Sequence, residues 1–150
     1  MAFILHIVYS IKLFACPARD EKYLQAAQDS FNFILKAQMS NGMFVPIGNN
    51  GWYQRGGLRA MYDQQSVEAS CMAETAVAAF RATQNNRFRT TARTIFAWFL
   101  GKNTLGISVY NPNTGGCYDG ITSEGLNLNQ GAEATVTYLL ARLNLETIVF

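Results

Sequence analysis

Five segments of this chain repeat apolar residues at steps of three and four, and the connections between them differ sharply in length. That contrast constrains the fold more than any single motif does. The segments cover about 3 to 15 (Ile4, Ile7, Val8, Ile11, Phe14), about 20 to 39 (Leu24, Ala27, Phe31, Ile34, Leu35) and about 64 to 83 (Val67, Cys71, Ala78, Ala79). Two more cover about 86 to 101 (Phe88, Ala92, Ile95, Phe96, Phe99) and about 129 to 144 (Ala132, Val136, Leu139, Leu140, Leu143). This spacing lays one apolar stripe along a helix. Asp20, Asp63 and Asn129 stand where N-caps belong, and Gly101 where a C-terminal glycine belongs. No segment shows the sustained alternation of a strand, so the spacing predicts an all-α fold of about five helices.

The first two segments are joined by a few residues around Pro17, and the third and fourth by Gln84-Asn85-Asn86. Links this short make antiparallel helical hairpins. Residues 40 to 62 and 102 to 128 are much longer connections, and they carry Phe44, Trp52, Tyr53, Leu105, Tyr110 and Tyr118. Long connections with that content are expected to be ordered and functional. In an up-and-down array both feed the starts of the third and fifth helices, on the same face of the protein. The two starts read alike: Gln65-Ser66-Val67-Glu68-Ala69 and Gln130-Gly131-Ala132-Glu133-Ala134. Such spacing puts an amide and a carboxylate on one face within a turn. Ordinary first-turn acids at the positive end of a helix are the plainer explanation, but two aromatic-bearing loops beside them favour a site.

Composition narrows the chemistry. With 49% hydrophobic and 15% charged residues, 150 residues make one domain with a real core. The net charge is +2 and no Lys/Arg stripe forms, which argues against nucleic acid. Cys16, Cys71 and Cys117 show no metal-binding spacing, and His6 is the only histidine. No P-loop or dinucleotide fingerprint appears, so no metal or cofactor is expected and carboxylates must carry any catalysis. No apolar run approaches the ~20 residues of a membrane span. The N-terminal segment reads as a helix rather than a short export signal, because it lacks a basic start and Lys12 interrupts its apolar run. A cytoplasmic location is the corresponding expectation.

The phrases "GMFVPIGNNGWYQRGG", "MYDQQSVEA", "RATQNNRFRTTARTIFAWFLGKN", "YNPNTGGCYDGI" and "NLNQGAEATVTYLLA" occur in order between about residues 20 and 143. Together they resemble a bacterial helical domain often fused behind a glycosyltransferase, of the six-hairpin glycosidase-like or (α/α)6 toroid superfamily. The resemblance implies part of such a toroid, working on an oligosaccharide or polysaccharide in hydrolysis or assembly. It also implies a longer protein, or an attached glycosyltransferase domain or second copy that completes the ring. Where relatives would read "DQQP" and "NENQGAES", this chain has Ser66 for the proline, Leu128 for an acid and Ala134 for a serine. The loss of polar groups makes an inactive domain, or a non-catalytic glycan-binding module or scaffold, the alternative expectation.

Sugar sites combine aromatic faces with amides and acids. Trp52 and Tyr53 are the platform candidates, with Trp52 as a core-plugging loop anchor the rival reading, and Asn49, Gln54 and Arg55 lie alongside. Gly56 and Gly57 suit a tight turn. Trp98, between Phe96 and Phe99, reads as packing. Hydrolysis would need two carboxyl groups, and Glu133 with Asp119 is the expected catalytic pair. Asp63, Gln64, Glu68, Asn129 and Gln130 are expected to contact substrate. Asp63 competes for a role as helix cap, Asp119 could merely close an Asx-turn, and Glu124 reads as solvated.

Overall fold

The computed structural model describes residues 21–54 and 56–148. The expected first helix, with Asp20, His6 and Cys16, lies outside the described residues. Helix α1 spans Glu21–Gln38, α2 Ser66–Thr83, α3 Asn86–Phe96 and α4 Ala132–Glu146. Five short strands accompany them: β1 (Met39–Ser40), β2 (Met43–Phe44), β3 (Gln64–Gln65), β4 (Gly120–Thr122) and β5 (Gly125–Asn127). Strands β1 and β2 form a small hairpin, and β3, β4 and β5 form an antiparallel sheet in that order.

The fold is therefore mixed, and the expectation of an all-α array forming part of an (α/α)6 toroid is corrected. The strands are two or three residues long, too short for alternation to register in sequence. Glutamine and glycine dominate β3 and the start of β4, and neither favours a strand by itself. Their pairing is made across the fold, with Gln64 opposite Ile121 and Gln65 opposite Gly120. A Cβ at Gly120 would fall on the Gln64 carbonyl, so glycine lets the two backbones meet.

Helix α2 is the central element. Twelve of its eighteen residues are buried, Ser66, Ala69, Ser70, Cys71, Ala73 and Ala76 among them, so it is covered on most sides rather than along one stripe. Small side chains let its neighbours approach closely, and Ser70 Oγ donates to the Thr137 carbonyl of α4 at 2.7 Å. The hairpin link to α3 is as short as its sequence suggests. Gln84 takes a left-handed conformation to end α2, and Asn85 caps α3 by accepting from Arg87 N at 3.0 Å. Phe88, Ala92, Ile95, Phe96 and Phe99 are all buried. The α-helix ends at Phe96, and residues to Gly101 continue in tighter turns. Lys102 N closes them on the Ala97 carbonyl, with Gly101 at φ +96.

Two further corrections concern helix starts and one helix face. Asp63 is not the cap of α2: the cap position is Gln65, whose side chain makes no capping bond. Gly131, not Asn129, is the cap residue of α4. On α4 the core face carries Ala134, Tyr138 and Ala141, while Val136, Leu139, Leu140 and Leu143 are exposed. Both faces of α4 are apolar, and tertiary packing chose the one with small residues and a ring. Tyr138 lies against Tyr110, with ring centroids 4.5 Å apart and planes at 14°, and also meets Phe96 and Phe99.

Candidate functional site

The β3–β4–β5 sheet brings the two long connections together just before the helices they feed. β3 runs directly into α2, and β5 leads through residues 128–131 into α4. An open-sided cleft of about 430 Å³ forms between the two helix starts. Asp63, Gln65, Asp119, Thr122, Asn127 and Glu133 are among its lining residues, with the first residues of both helices. Its volume is in the range of small-molecule sites. Among the described residues, three carboxylates line it and no lysine or arginine does. The unpaired N–H groups at the two helix starts give positive partial charge nearby, which offsets some repulsion among the carboxylates.

Asp119 is held on both oxygens. Oδ1 accepts from the backbone N–H of Gly131 at 2.9 Å, and Oδ2 accepts from Asn129 Nδ2. Its own N–H donates to the Asn129 carbonyl at 2.9 Å. Asp119 thus ties the strand β4 lead-in to the start of α4, and a Cβ at Gly131 would come within 2.8 Å of its Oδ1. Asn129 is committed to the same clamp. Glu133, in the first turn of α4, is exposed and faces the cleft. Asp63 lines the opposite wall, with φ +60. The two expected catalytic residues, Glu133 and Asp119, therefore share one cleft, and Asp63 joins them.

Gln64 also lines the cleft, but its side chain is committed to the fold, and the remaining expected residues fall elsewhere. The Gln64 amide is fully occupied by the fold: Oε1 accepts from Trp98 Nε1 at 2.9 Å, and Nε2 donates to the Met61 carbonyl and to Thr104 Oγ1. Gln64 is thus a buried polar joint in the floor of the cleft, and Trp98 is packing, fully buried. Gln130 accepts from Thr114 Oγ1 at 2.7 Å and is not in the cleft wall. Glu68 also lies off the cleft. It accepts from Gln38 Nε2 and from the Ile47 backbone, and burial pushes its carboxyl up to about 7 against the lowering effect of those bonds. The repeated Gln-x-x-Glu motif therefore does not mark equivalent positions, because Glu133 is exposed at the cleft and Glu68 is packed under the loop of residues 45–62. Glu124 sits in the exposed β4–β5 turn.

Trp52 and Tyr53 are exposed and do not line the cleft, so Trp52 is no core anchor. They lie on an arm whose two sides are joined by Gly48 N to Ala60 O, Ala60 N to Trp52 O and Asn49 N to Asp63 O. Gly57 N closes a turn on the Gln54 carbonyl. Asn49 is half-buried on this arm, and Arg55 lies outside the described residues. Sequence reasoning missed Thr122 and Asn127, whose only signal was their place in the glycine-rich run before α4. Among the described residues no group of three His, Cys, Asp or Glu side chains is placed to hold a metal. None of their helices is long and apolar enough to cross a membrane. No protein-family model matches the chain, and no curated protein is significantly similar to it.

Proposed function

We propose that this chain is a carbohydrate-binding domain whose cleft, between the starts of α2 and α4, takes the hydroxyl-bearing face of an oligosaccharide. The observation that carries this is the lining: Asp63, Asp119 and Glu133, with Thr122 and Asn127 and, among the described residues, without a basic side chain. Carboxylate and amide oxygens accept from sugar hydroxyls, and the Asn127 amide and the Thr122 hydroxyl can donate to them. Phosphates and nucleotides would meet three carboxylates there, a repulsion that the helix starts offset only in part. The resemblance of the five phrases to glycosyltransferase-associated helical domains supports the same ligand class, and an attached or neighbouring glycosyltransferase is the corresponding partner.

Binding without turnover is the better-supported form of this reading. Hydrolysis of a glycosidic bond needs one protonated carboxyl group and a second free to act as base or nucleophile. Asp119 spends both oxygens on Gly131 and Asn129. A glycosidase-like reaction by Glu133 and Asp119 remains the second reading, favoured by their presence in one cleft.

Titration calorimetry against a panel of neutral oligosaccharides, with product analysis of the same mixtures, separates the two. Saccharide binding that weakens at least tenfold in Glu133→Gln or Asp63→Asn, without bond cleavage, is the expected result. Cleavage abolished by Glu133→Gln would establish the second reading. Saturation by a polyamine in place of any saccharide would overturn both.

A further inference from the structure

Among the described residues no aromatic side chain lines the cleft, yet the arm that begins at its edge carries three. Trp52, Tyr53 and Tyr62 are 51%, 42% and 46% exposed, in a chain that buries Trp98, Phe31, Phe44 and Phe99 completely or nearly so. Scattered single exposures are ordinary, but large rings gathered on one short arm are not. The arm is not a loose tether. Backbone bonds join Gly48 to Ala60, Ala60 to Trp52 and Asn49 to Asp63, at 2.8 to 3.1 Å. Trp52 sits at φ +59 and Asp63 at φ +60, conformations uncommon for a bulky or branched side chain. The arm therefore holds the Trp52 backbone by hydrogen bonding while leaving the residue 51% exposed.

Its position relative to the cleft follows from the pairing. Trp52 lies across from Ala60, and three further residues bring the chain to Asp63 in the cleft wall. That stretch spans no more than about 10 Å even when extended. An aromatic face at that reach is close enough to stack on the apolar C–H side of a sugar ring further along a chain whose end lies in the cleft. Asn49 and Gln54 on the same arm carry the amides that would meet its hydroxyls.

Building on the carbohydrate reading of the cleft, we infer that Trp52 forms a second, stacking subsite and that the ligand is an extended oligosaccharide rather than a single sugar. The apolar ring face suits a neutral polyol, and the backbone pairing of Trp52 with Ala60 links it to the stretch 60–63 that ends at Asp63.

The test is a length series of the oligosaccharide that binds best, from one sugar upward, measured on the full chain as wild type, Trp52→Ala, Trp52→Phe and Glu133→Gln. Wild-type affinity is expected to rise about tenfold once the ligand is long enough to reach the arm, with a change in indole fluorescence. That rise disappears in Trp52→Ala and returns in part in Trp52→Phe, while Glu133→Gln weakens every length. Circular dichroism checks that each variant is folded. A length-dependent rise that survives Trp52→Ala overturns the subsite and leaves the cleft reading standing. Affinity that does not grow with length in the wild type does the same. Failure of the wild type to bind any saccharide overturns the cleft reading first, and the subsite with it.

Discussion

The backbone N–H of Gly131 donates to Asp119 Oδ1 at 2.9 Å, and the same glycine leaves no room for a Cβ beside that oxygen. This contact fixes where α4 begins relative to β4, and so fixes the position of Glu133 in the cleft. Gly131→Ala is expected to lower stability by about 1–3 kcal/mol through overpacking and loss of the bond. In an Asp119→Ala background the same change should cost almost nothing, because the obstructing carboxylate is gone. Urea unfolding of the four proteins gives the coupling directly. Equal costs in both backgrounds would mean the contact is not made.

Trp98 and Gln64 form the buried polar joint under the same sheet. Trp98→Phe keeps most of the ring but removes Nε1–H, leaving Gln64 Oε1 without that donor in a buried site. A loss of about 1–3 kcal/mol is expected beyond the change in ring size. Gln64→Leu alone should cost more, since it also strands the Met61 carbonyl and Thr104 Oγ1, and the double variant should lose less than the sum of the two, read from denaturant midpoints.

Glu68 gives the pH dependence. Its carboxyl is raised from 4.5 to about 7 in the folded protein, chiefly by burial, with the Ile47 and Gln38 hydrogen bonds acting the other way. A raised folded value means the folded state holds the proton more tightly than the unfolded chain. The resulting stability is fully present below about 4.5 and is lost as pH rises through about 7. Glu68→Gln should therefore match the wild type near pH 4 and exceed it by about 1–3 kcal/mol at pH 8. Its amide can also donate to Gln38 Oε1, a buried acceptor with no hydrogen-bond partner among the described residues. Thermal unfolding of both proteins across this range would refute the assignment if their difference stayed constant.

Glu133 is the contrasting acid. It is exposed in the first turn of α4, where its charge contributes a few tenths to about 1 kcal/mol through the helix dipole. Glu133→Gln should thus unfold within about 1 kcal/mol of the wild type while weakening saccharide binding at least tenfold. A large stability loss on unfolding would assign this residue to the fold instead.

Much of the scaffold is legible in the residues themselves. The stripe from Phe88 to Phe99 and the short link at Gln84 and Asn85 correspond to what is observed, because each is a local matter of spacing and backbone freedom, whereas the expected helix stop at Gly101 falls beyond the end of α3 at Phe96. The convergence of the two long connections was also legible, from helix alternation alone. The sheet that joins them was not, since Gln64, Gln65 and Gly120 have no strand preference of their own. Glu68 and Glu133 looked equivalent for the same reason that they are not. Sequence spacing shows which residues share a helix face, and it does not show what packs against that face.

The order of elements, the helical hairpin, the scarcity of basic clusters and the gathering of acids, amides and glycines ahead of α4 are properties of the chain itself, since they depend on near neighbours. Tertiary structure decided which apolar face of α4 went inward, placed Asp119 under Gly131 rather than free in the cleft, and put Gln38 and Ile47 on Glu68. Those outcomes rest on contacts between residues far apart in the chain. There, close packing of small side chains and the need to satisfy buried polar atoms outweigh local preference.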